Sequence, residues 1–316
     1  MMGQIAQKMT MLKRWSKMLT GKTAVAVEQS MGRAYNVGQL SGYYNDLTGK
    51  VTGSTLLDEG GVPVSVIAGG ARVHFPIAIF QYGLGCYDLS ILRSDEVERF
   101  LDALRVCSDW AIGAQRDDGS WDAFGPIGSA KYSVSSMAQG EGCSMLLRAH
   151  AAFGDECYRV AALKAAEFML IDIDNGGVSS HDGGELFLEE YPQRPRRSVM
   201  NGWVFSLFGL YDASLVDARF AGPFKRSAET LACHLDDYDA GFWSYYDMEK
   251  RIASPAYHHL HIAQLRAMAD LSGDARFAVK AEVYERYQES PANRRKAIAK
   301  KALQKLIEKS DAVIVQ

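Results

Sequence analysis

The chain has 316 residues, of which 47% are hydrophobic and 23% charged, with a formal net charge of −3. This is ordinary globular usage in a chain long enough for one large domain or two small ones. The near-neutral balance excludes a general nucleic-acid binder, and no run of about 18 apolar residues provides a membrane span. Five scattered cysteines (Cys86, Cys107, Cys143, Cys157 and Cys233) form no CxxC pair. Their pattern argues against a disulfide framework or a zinc site and favours reduced, buried thiols in a cytoplasmic protein.

Residues 1–34 are expected to hold an amphipathic basic helix. Leu12, Trp15, Met18 and Leu19 lie on one side, among Lys8, Lys13, Arg14, Lys17 and Lys22. No continuous apolar stretch marks a secretory signal there. Residues 35–75 are rich in Gly, Thr and Val, with turn signals at Asn45-Asp46, Gly60-Gly61 and Gly69-Gly70. They predict a short β-hairpin or loop layer laid across one mouth of a helical domain.

Residues 76–290 alternate between two kinds of helix. One kind is apolar, aromatic and rich in small residues, as in FPIAIFQYGLGCYDLS and VMNGWVFSLFGLYDASL. The other is amphipathic. After Ser94, a candidate N-cap, Val97, Phe100, Leu101 and Leu104 make a single stripe. The segments GDECYRVAALKAAEF, VDARFAGPFKRSAET and GDARFAVKAEVYERY recur about 60 residues apart, the spacing of a helical-hairpin repeat. The expected fold is therefore mainly α: an (α/α)4 toroid of four inner and four outer helices, with an open helical solenoid as the alternative. The inner helices need cover on every side, which favours closure. Residues 291–316 predict a second basic helix, with Arg294, Arg295, Lys296, Lys300, Lys301, Lys305 and Lys309 around Ile298, Leu303, Leu306 and Ile307. The two basic helices read as solvated faces or homodimer contacts, with an anionic membrane surface or an acidic polymer as the alternative partner.

Three segments concentrate chemistry. EEYPQRPRRSVMNGWVFSLFGLYD, from Glu189, sets an acidic pair, a tyrosine and three arginines before an apolar helix. DDYDAGFWSYYDMEK carries Tyr238, Tyr245, Tyr246 and Asp247, and AYHHLHIAQLRAM carries Tyr257, His258, His259, His261 and Gln264. On a helix His258 and His261 share a face while His259 points elsewhere. No Cys or acidic ligand pattern accompanies them, so they read as polar cleft lining rather than a metal site. QRDDGSWDAFG, Gln115–Gly125, reads as a structural helix-ending turn. Glu141 is either a cleft residue or a buried, hydrogen-bonded acid.

These segments, together with FPIAIFQYGLGCYD (Phe75–Asp88) and MAQGEGCSMLLRAH (Met137–His150), resemble in order the C-terminal catalytic domain of the D-glucuronyl C5-epimerases. The family's blocks read EEYP…NG…GLYD, YD-turn-YDLRH and DYHTTHINQL. The resemblance covers roughly residues 75–275, and its specificity lies in the ordered set of five blocks. It implies a short form without the N-terminal domains of the animal enzymes. It also implies an isomerase without a cofactor, acting on hexuronic acid in an acidic polysaccharide. The family's three catalytic tyrosines fall on Tyr191, Tyr246 and Tyr257. Substrate contacts are expected from Glu190, Arg194, Arg196, Arg197, Asn201, Gln139, Glu141, His258 and His261. The family's arginine three residues after the YD tyrosine is Glu249 here, followed by Lys250 and Arg251, and the gap from Tyr246 to Tyr257 is shorter than in the animal enzymes.

Inverting C5 of a uronate requires removing a weakly acidic proton α to a carboxylate and returning one on the opposite face. Two acid/base groups must therefore flank the ring, and cations or donors must take up charge on the carboxylate. Tyrosine acts as a base only if nearby positive charge lowers its pKa. Arg194, Arg196, Arg197 and Lys250 are the cations expected to do so, with the arginine loop anchoring the substrate carboxylate. A lyase shares the first step, and a non-catalytic polysaccharide-binding protein is the reading that Glu249 supports. The expected setting is a cytoplasmic homodimer whose basic ends can reach the inner face of the membrane.

Overall fold

The computed structural model describes residues 29–67, 69–129 and 131–307. The hydrophobic stripe expected near the N-terminus and Lys309 lie outside these residues. In chain order the elements begin with a short helix α1 (Thr48–Thr52) and strands β1 (Leu56–Leu57), β2 (Pro63–Val66) and β3 (Arg72–Val73). Helices α2 (Pro76–Leu92), α3 (Val97–Ala114), α4 (Ser136–Phe153) and α5 (Glu156–Phe168) come next. A hairpin, β4 (Ser179–Asp182) and β5 (Glu185–Leu188), precedes α6 (Met200–Val216), α7 (Ala221–Cys233), α8 (Pro255–Ser272), α9 (Ala275–Glu289) and α10 (Pro291–Ile307).

Helices α2, α4, α6 and α8 are the inner ring. The reason lies in their composition: α6 is buried without interruption from Met200 to Ala213 and α4 from Ser136 to Ala149. A helix apolar on every side must be covered on every side. The outer helices bury only a stripe; α3 hides Phe100, Leu104, Cys107, Ser108 and Ala111. Each outer helix packs on the inner helix before it, and the inner helices pack in series, α2 on α4, α4 on α6 and α6 on α8. This is the (α/α)4 arrangement. Helices α4 and α6 approach so closely that a Cβ on Gly209 would collide with the Gly140 Cα, and one on Gly140 would meet the Phe205 carbonyl at 2.5 Å. No other residue type fits that crossing. Helix α3 starts at Val97, with Glu96 rather than Ser94 at its cap; Glu96 is held there by Arg93 and Arg99.

The C-terminal ends of the inner helices gather at one mouth, and residues 29–47 lie across it. Tyr43 donates its backbone N–H to Asp88 of α2 at 2.7 Å, and the Tyr35 hydroxyl donates to Asp270 of α8 at 2.6 Å. Between them, Arg148 of α4 and Asp212 of α6 form a salt bridge of 2.6 Å with both side chains fully buried. The Tyr44 hydroxyl donates to the same carboxylate at 2.5 Å, while Arg148 donates to the carbonyls of Ser41 and Gly42 at 2.9 and 3.3 Å. The sheet β1-β2-β3 is antiparallel, with Leu56 opposite Val64 and Ser65 opposite Val73; it packs beside α2. Of the cysteines, Cys86, Cys107 and Cys143 are buried, but Cys157 and Cys233 are exposed because they fall on the outer faces of α5 and α7. Among the described residues no helix is long and apolar enough to cross a membrane.

The buried pair makes a stability prediction. Removing one partner of a desolvated ion pair strands the other. Arg148→Ala should therefore cost about 3–5 kcal/mol in urea unfolding, and Tyr44→Phe about 1–3 kcal/mol. An Arg148→Ala variant as stable as the parent would mean that Asp212 does not need its partner.

Candidate functional site

The opposite mouth is formed by the N-terminal ends of the inner helices. Strand β5 runs directly into Glu189, whose carbonyl accepts the Ser136 N–H at the start of α4 at 3.1 Å. The Glu189 carboxylate accepts the Ser198 N–H at 2.8 Å and also the Ser198 hydroxyl. This clamp holds Ser198 at φ 41°, a left-handed conformation unusual for serine. The loop between the two ends of the clamp includes a cis Arg194–Pro195 bond. A second loop is laced to the first: Met248 N–H donates to the Arg197 carbonyl and Met200 N–H to the Tyr246 carbonyl, both at 3.1 Å. The third component is the first turn of α8, where Ser254 caps the helix by accepting the Tyr257 N–H at 3.3 Å.

These three segments bring Tyr191, Tyr246 and Tyr257 together. The rings of Tyr246 and Tyr257 meet edge to face at 4.9 Å. Tyr191 stacks on Phe124 at 5.1 Å and touches Tyr132 at 5.5 Å. All three tyrosines are half-buried, whereas Glu190 beside them is 6% exposed. The Glu190 side chain lies against the first turn of α6, where a Cβ on Gly202 would come within 2.5 Å of its Oε2. That oxygen is buried with no hydrogen-bond partner among the described residues. Burial pushes the Glu190 carboxyl up to about 7, against the opposing pull of the Tyr191 hydroxyl and the Arg197 charge. A carboxyl at that value exchanges a proton near neutral pH.

The tyrosines behave differently from the expectation that arginines would lower their pKa values. Burial, followed by the negative charge of Glu190, raises Tyr191 and Tyr246 well above 10 and Tyr257 to about 12. Arg197 opposes this at Tyr191 and Tyr246 but does not prevail. The tyrosines are therefore neutral donors at physiological pH. Burial raises two carboxyls beside them to about 7, Glu190 and Asp247; Asp247 is held by Arg197 and Arg251, whereas Glu190 keeps an oxygen without a hydrogen-bond partner among the described residues.

The arginine loop divides. Arg194 turns outward to Asp172 and Asp174, at 3.4 and 3.0 Å. Arg196 lies over the Phe187 ring at 3.8 Å and pairs with Asp182 at 3.3 Å. Only Arg197 of the three reaches the tyrosines, its guanidinium 5.0 Å from the Tyr191 ring centre and its Nε 3.3 Å from buried Asp247. Lys250, at φ 63°, points away to the Asp237 carbonyl. Arg251, two positions beyond Glu249, binds Asp247 through its Nε at 2.6 Å and lies 5.4 Å from the Tyr246 ring. A cation thus stands next to Tyr246 although the family's arginine position holds glutamate.

The remaining expected residues occupy the ring interior. Asn201 is 3% exposed, and its carbonyl accepts from Gln264 at 3.1 Å, leaving Asn201 Oδ1 and Gln264 Oε1 buried without partners among the described residues. Glu141 is fully buried; its Oε1 accepts from Gln81 of α2 at 2.9 Å, and its Oε2 has no hydrogen-bond partner among the same residues. Burial pushes Glu141 up to about 8, with Lys50 of α1 opposing. Gln139 instead holds the Gln115–Gly125 turn, accepting from Trp121 N–H at 3.2 Å and donating to the Gly119 carbonyl at 2.9 Å. His258 stacks on Trp243 at 3.7 Å and bonds the Tyr284 carbonyl at 3.0 Å, so it belongs to the packing behind the site. His261 bonds the Ser244 hydroxyl at 2.9 Å, and its Nε2 is buried without a partner among the described residues. Burial lowers both histidines to about 3 and keeps them neutral. Sequence alone does not single out Gln81, Lys50, Phe124, Tyr132 or Arg251 for the site. Gln81 carries a signal, as the first polar residue in an otherwise apolar stretch of α2.

The family described as the D-glucuronyl C5-epimerase C-terminus matches residues 127–289, more than half of the chain. A D-glucuronyl C5-epimerase of Caenorhabditis elegans is 30% identical over 205 residues, which cover 56% of this chain and 33% of that protein. An uncharacterized protein of Methanocaldococcus jannaschii is 27% identical over 169 residues, 49% of this chain and 52% of that one. The chain thus spans only part of the length of these curated relatives. A solved structure described as UGL with dGlcA-Glc-Rha-Glc superposes with a TM-score of 0.45 at 21% identity, covering 67% of this chain and 61% of that one. That likeness is too distant to bear on chemistry. The family match encloses every segment that forms the tyrosine cluster, from the Phe124 neighbour Tyr132 to the first turn of α8, and this chain belongs to the D-glucuronyl C5-epimerase C-terminus family.

Proposed function

We propose that the site inverts C5 of hexuronic acid residues of the D-glucuronate type within a polysaccharide. The observation that carries this reading is Glu190, a buried carboxyl with one oxygen unpartnered among the described residues and a pKa near neutrality, beside three neutral tyrosines and Arg197. Family membership supplies the substrate class, since the Caenorhabditis elegans relative is named for D-glucuronyl C5-epimerisation.

In this reading ionised Glu190 takes the C5 proton on one face. The C–H electron pair moves into the adjacent substrate carboxylate, which becomes an enediolate bearing one further negative charge. Arg197 and the N-terminal ends of α6 and α8 offset that charge. Tyr257, from a different element, donates its hydroxyl proton to C5 on the other face, and the electron pair returns to form the new C–H bond. The resulting Tyr257 phenolate regains a proton from water by way of Tyr246, whose ring meets it at 4.9 Å, and Glu190 releases its proton to water. The Tyr191 hydroxyl pulls the Glu190 pKa down against burial, which favours its ionised form. No electrons are exchanged, so the reaction calls for no redox cofactor.

In deuterated water the chain should place deuterium at C5 of a glucuronate-containing polymer without shortening it. Ultraviolet absorbance from an unsaturated uronate end, without C5 exchange, would instead identify a lyase. Glu190→Gln should reduce exchange by roughly 10²–10⁴-fold.

Because the Glu190 pKa is raised to about 7, the deprotonated base is scarce below that value. The exchange rate kcat/KM should therefore rise as pH increases through about 7 and level off above it. A rate independent of pH across this window would remove Glu190 from the base role.

Arg197→Ala should lose roughly 10²-fold or more, while Arg194→Ala and Arg196→Ala, whose side chains bind outward carboxylates, should remain near the parent rate. Severe loss in Arg194→Ala or Arg196→Ala with Arg197→Ala unaffected would place the anchor elsewhere.

A further inference from the structure

Helix α10 begins at Pro291, just after the family match ends at residue 289. Its sequence, PANRRKAIAKKALQKLI, contains six basic residues and no acidic one. It is nonetheless docked at the site. Ala297 is 1% exposed in a cluster with Phe242, Trp243, Ile252 and Ala253, and Gln304 Oε1 accepts the Ile252 N–H at 3.0 Å. The docked face thus sits on the same loop that delivers Tyr246.

Docking in this way fixes where the ammonium groups stand. Lys301 Nζ lies 5.8 Å from the Tyr246 ring centre, on the ring that Arg251 also approaches. One turn away, Lys296 and Lys300 both lie over the Phe242 ring, at 4.0 and 5.0 Å. Both are exposed, and among the described residues neither has a carboxylate partner. The ring face holds the two stems in place while the charges remain in water. The result is a row of positive charge leading from the tyrosine cluster along α10. Like charges gathered on one face repel one another unless an anion meets them.

We propose that α10 is an electropositive extension of the candidate site that binds the uronate carboxylates flanking the residue being converted. The inference rests on the epimerase reading for its occupant, an acidic polysaccharide already threaded past Tyr246. Continuity with the site favours this occupant over an anionic membrane, because the lysine row starts at a ring of the site itself. Lys301, close enough to Asp247 to pull its pKa down, marks where the row leaves the site, and carboxylates recurring along a polymer then meet the Lys296–Lys300 pair. The extension therefore adds affinity for long substrates and nothing for one that ends within the tyrosine cluster.

The test compares the full chain with two double variants, Lys296→Glu with Lys300→Glu, and Lys296→Ala with Lys300→Ala. Both positions are solvent-facing and outside the tyrosine cluster, and alanine preserves the helix. Binding is measured by calorimetry against polyglucuronate, with dextran as the neutral control, at low and physiological salt. The charge reversal should weaken polyglucuronate binding by roughly tenfold and the alanine pair by less, with the difference shrinking as salt rises. C5 exchange on a trisaccharide should stay at the parent rate. Unchanged polyglucuronate affinity in both variants would overturn the proposal. Loss of binding to phosphatidylserine vesicles with polymer affinity intact would overturn it in favour of a membrane surface. Equal loss of affinity for dextran would also overturn it, since charge would not be responsible. If the parent chain binds polyglucuronate through these lysines yet exchanges no C5 proton, the extension stands and the catalytic reading falls.

Discussion

The inner helices are buried around most of their circumference, and every other feature of the chain depends on covering them. Amphipathic partners cover one side of each, and the ring covers the other. Glycine at both members of the α4–α6 crossing lets two backbones meet where side chains would hold them apart. Because inner and outer helices alternate, the inner ones all run the same way. Their C-terminal ends collect at one mouth and their N-terminal ends at the other. The two mouths therefore differ in electrostatic character before any side chain is considered.

The chain uses that difference. At the C-terminal mouth, acids at the ends of α2, α6 and α8 are consumed by the segment of residues 29–47, and the Arg148–Asp212 pair is sealed from water. Hydrogen bonds and an ion pair close that mouth. At the N-terminal mouth the polar atoms are left incomplete: among the described residues, Glu190 Oε2, Asn201 Oδ1, Gln264 Oε1 and Glu141 Oε2 have no hydrogen-bond partner. Buried polar atoms without partners are costly to maintain. Others lie elsewhere, Tyr43 Oη and Asn45 Oδ1 in the closing segment among them, but Glu190 Oε2 stands beside the tyrosine cluster, where a ligand could complete it.

Charge is balanced at the same mouth by groups drawn from separated parts of the chain. Asp247 holds Arg197 and Arg251 from two loops, so it fixes both guanidiniums at the rings of Tyr191 and Tyr246. Glu249, which sits where the family carries arginine, joins the same network through Arg197 at 3.5 Å. The positive charge near the tyrosines is thus retained by a different residue, which weakens the case for a degenerate cleft. Beyond it, α10 extends the positive surface and contributes no acid of its own.

Much of the architecture was legible because it follows from local pattern. All-round apolar helices alternating with striped ones, at a regular spacing, define an inner and an outer layer whatever the details. The order of five motif blocks identified the family, and it brought forward Tyr191, Tyr246 and Tyr257 as a set. Which way a loop side chain points is not a local property. Arg194, Arg196 and Arg197 are equivalent in sequence, yet the clamp between Glu189 and Ser198 and the lacing to Met248 leave only Arg197 beside the tyrosines. The protonation of the site was equally hidden, because a pKa is set by burial and by neighbours distant in the chain. Burial left the tyrosines neutral and raised Glu190 toward neutrality. The sequence by itself determined the layers, the family and the candidate residues, since these depend on composition and spacing. Only the tertiary structure decided which of those residues meet and which carboxyls are raised toward neutrality, because desolvation and charge coupling exist only once the chain is packed.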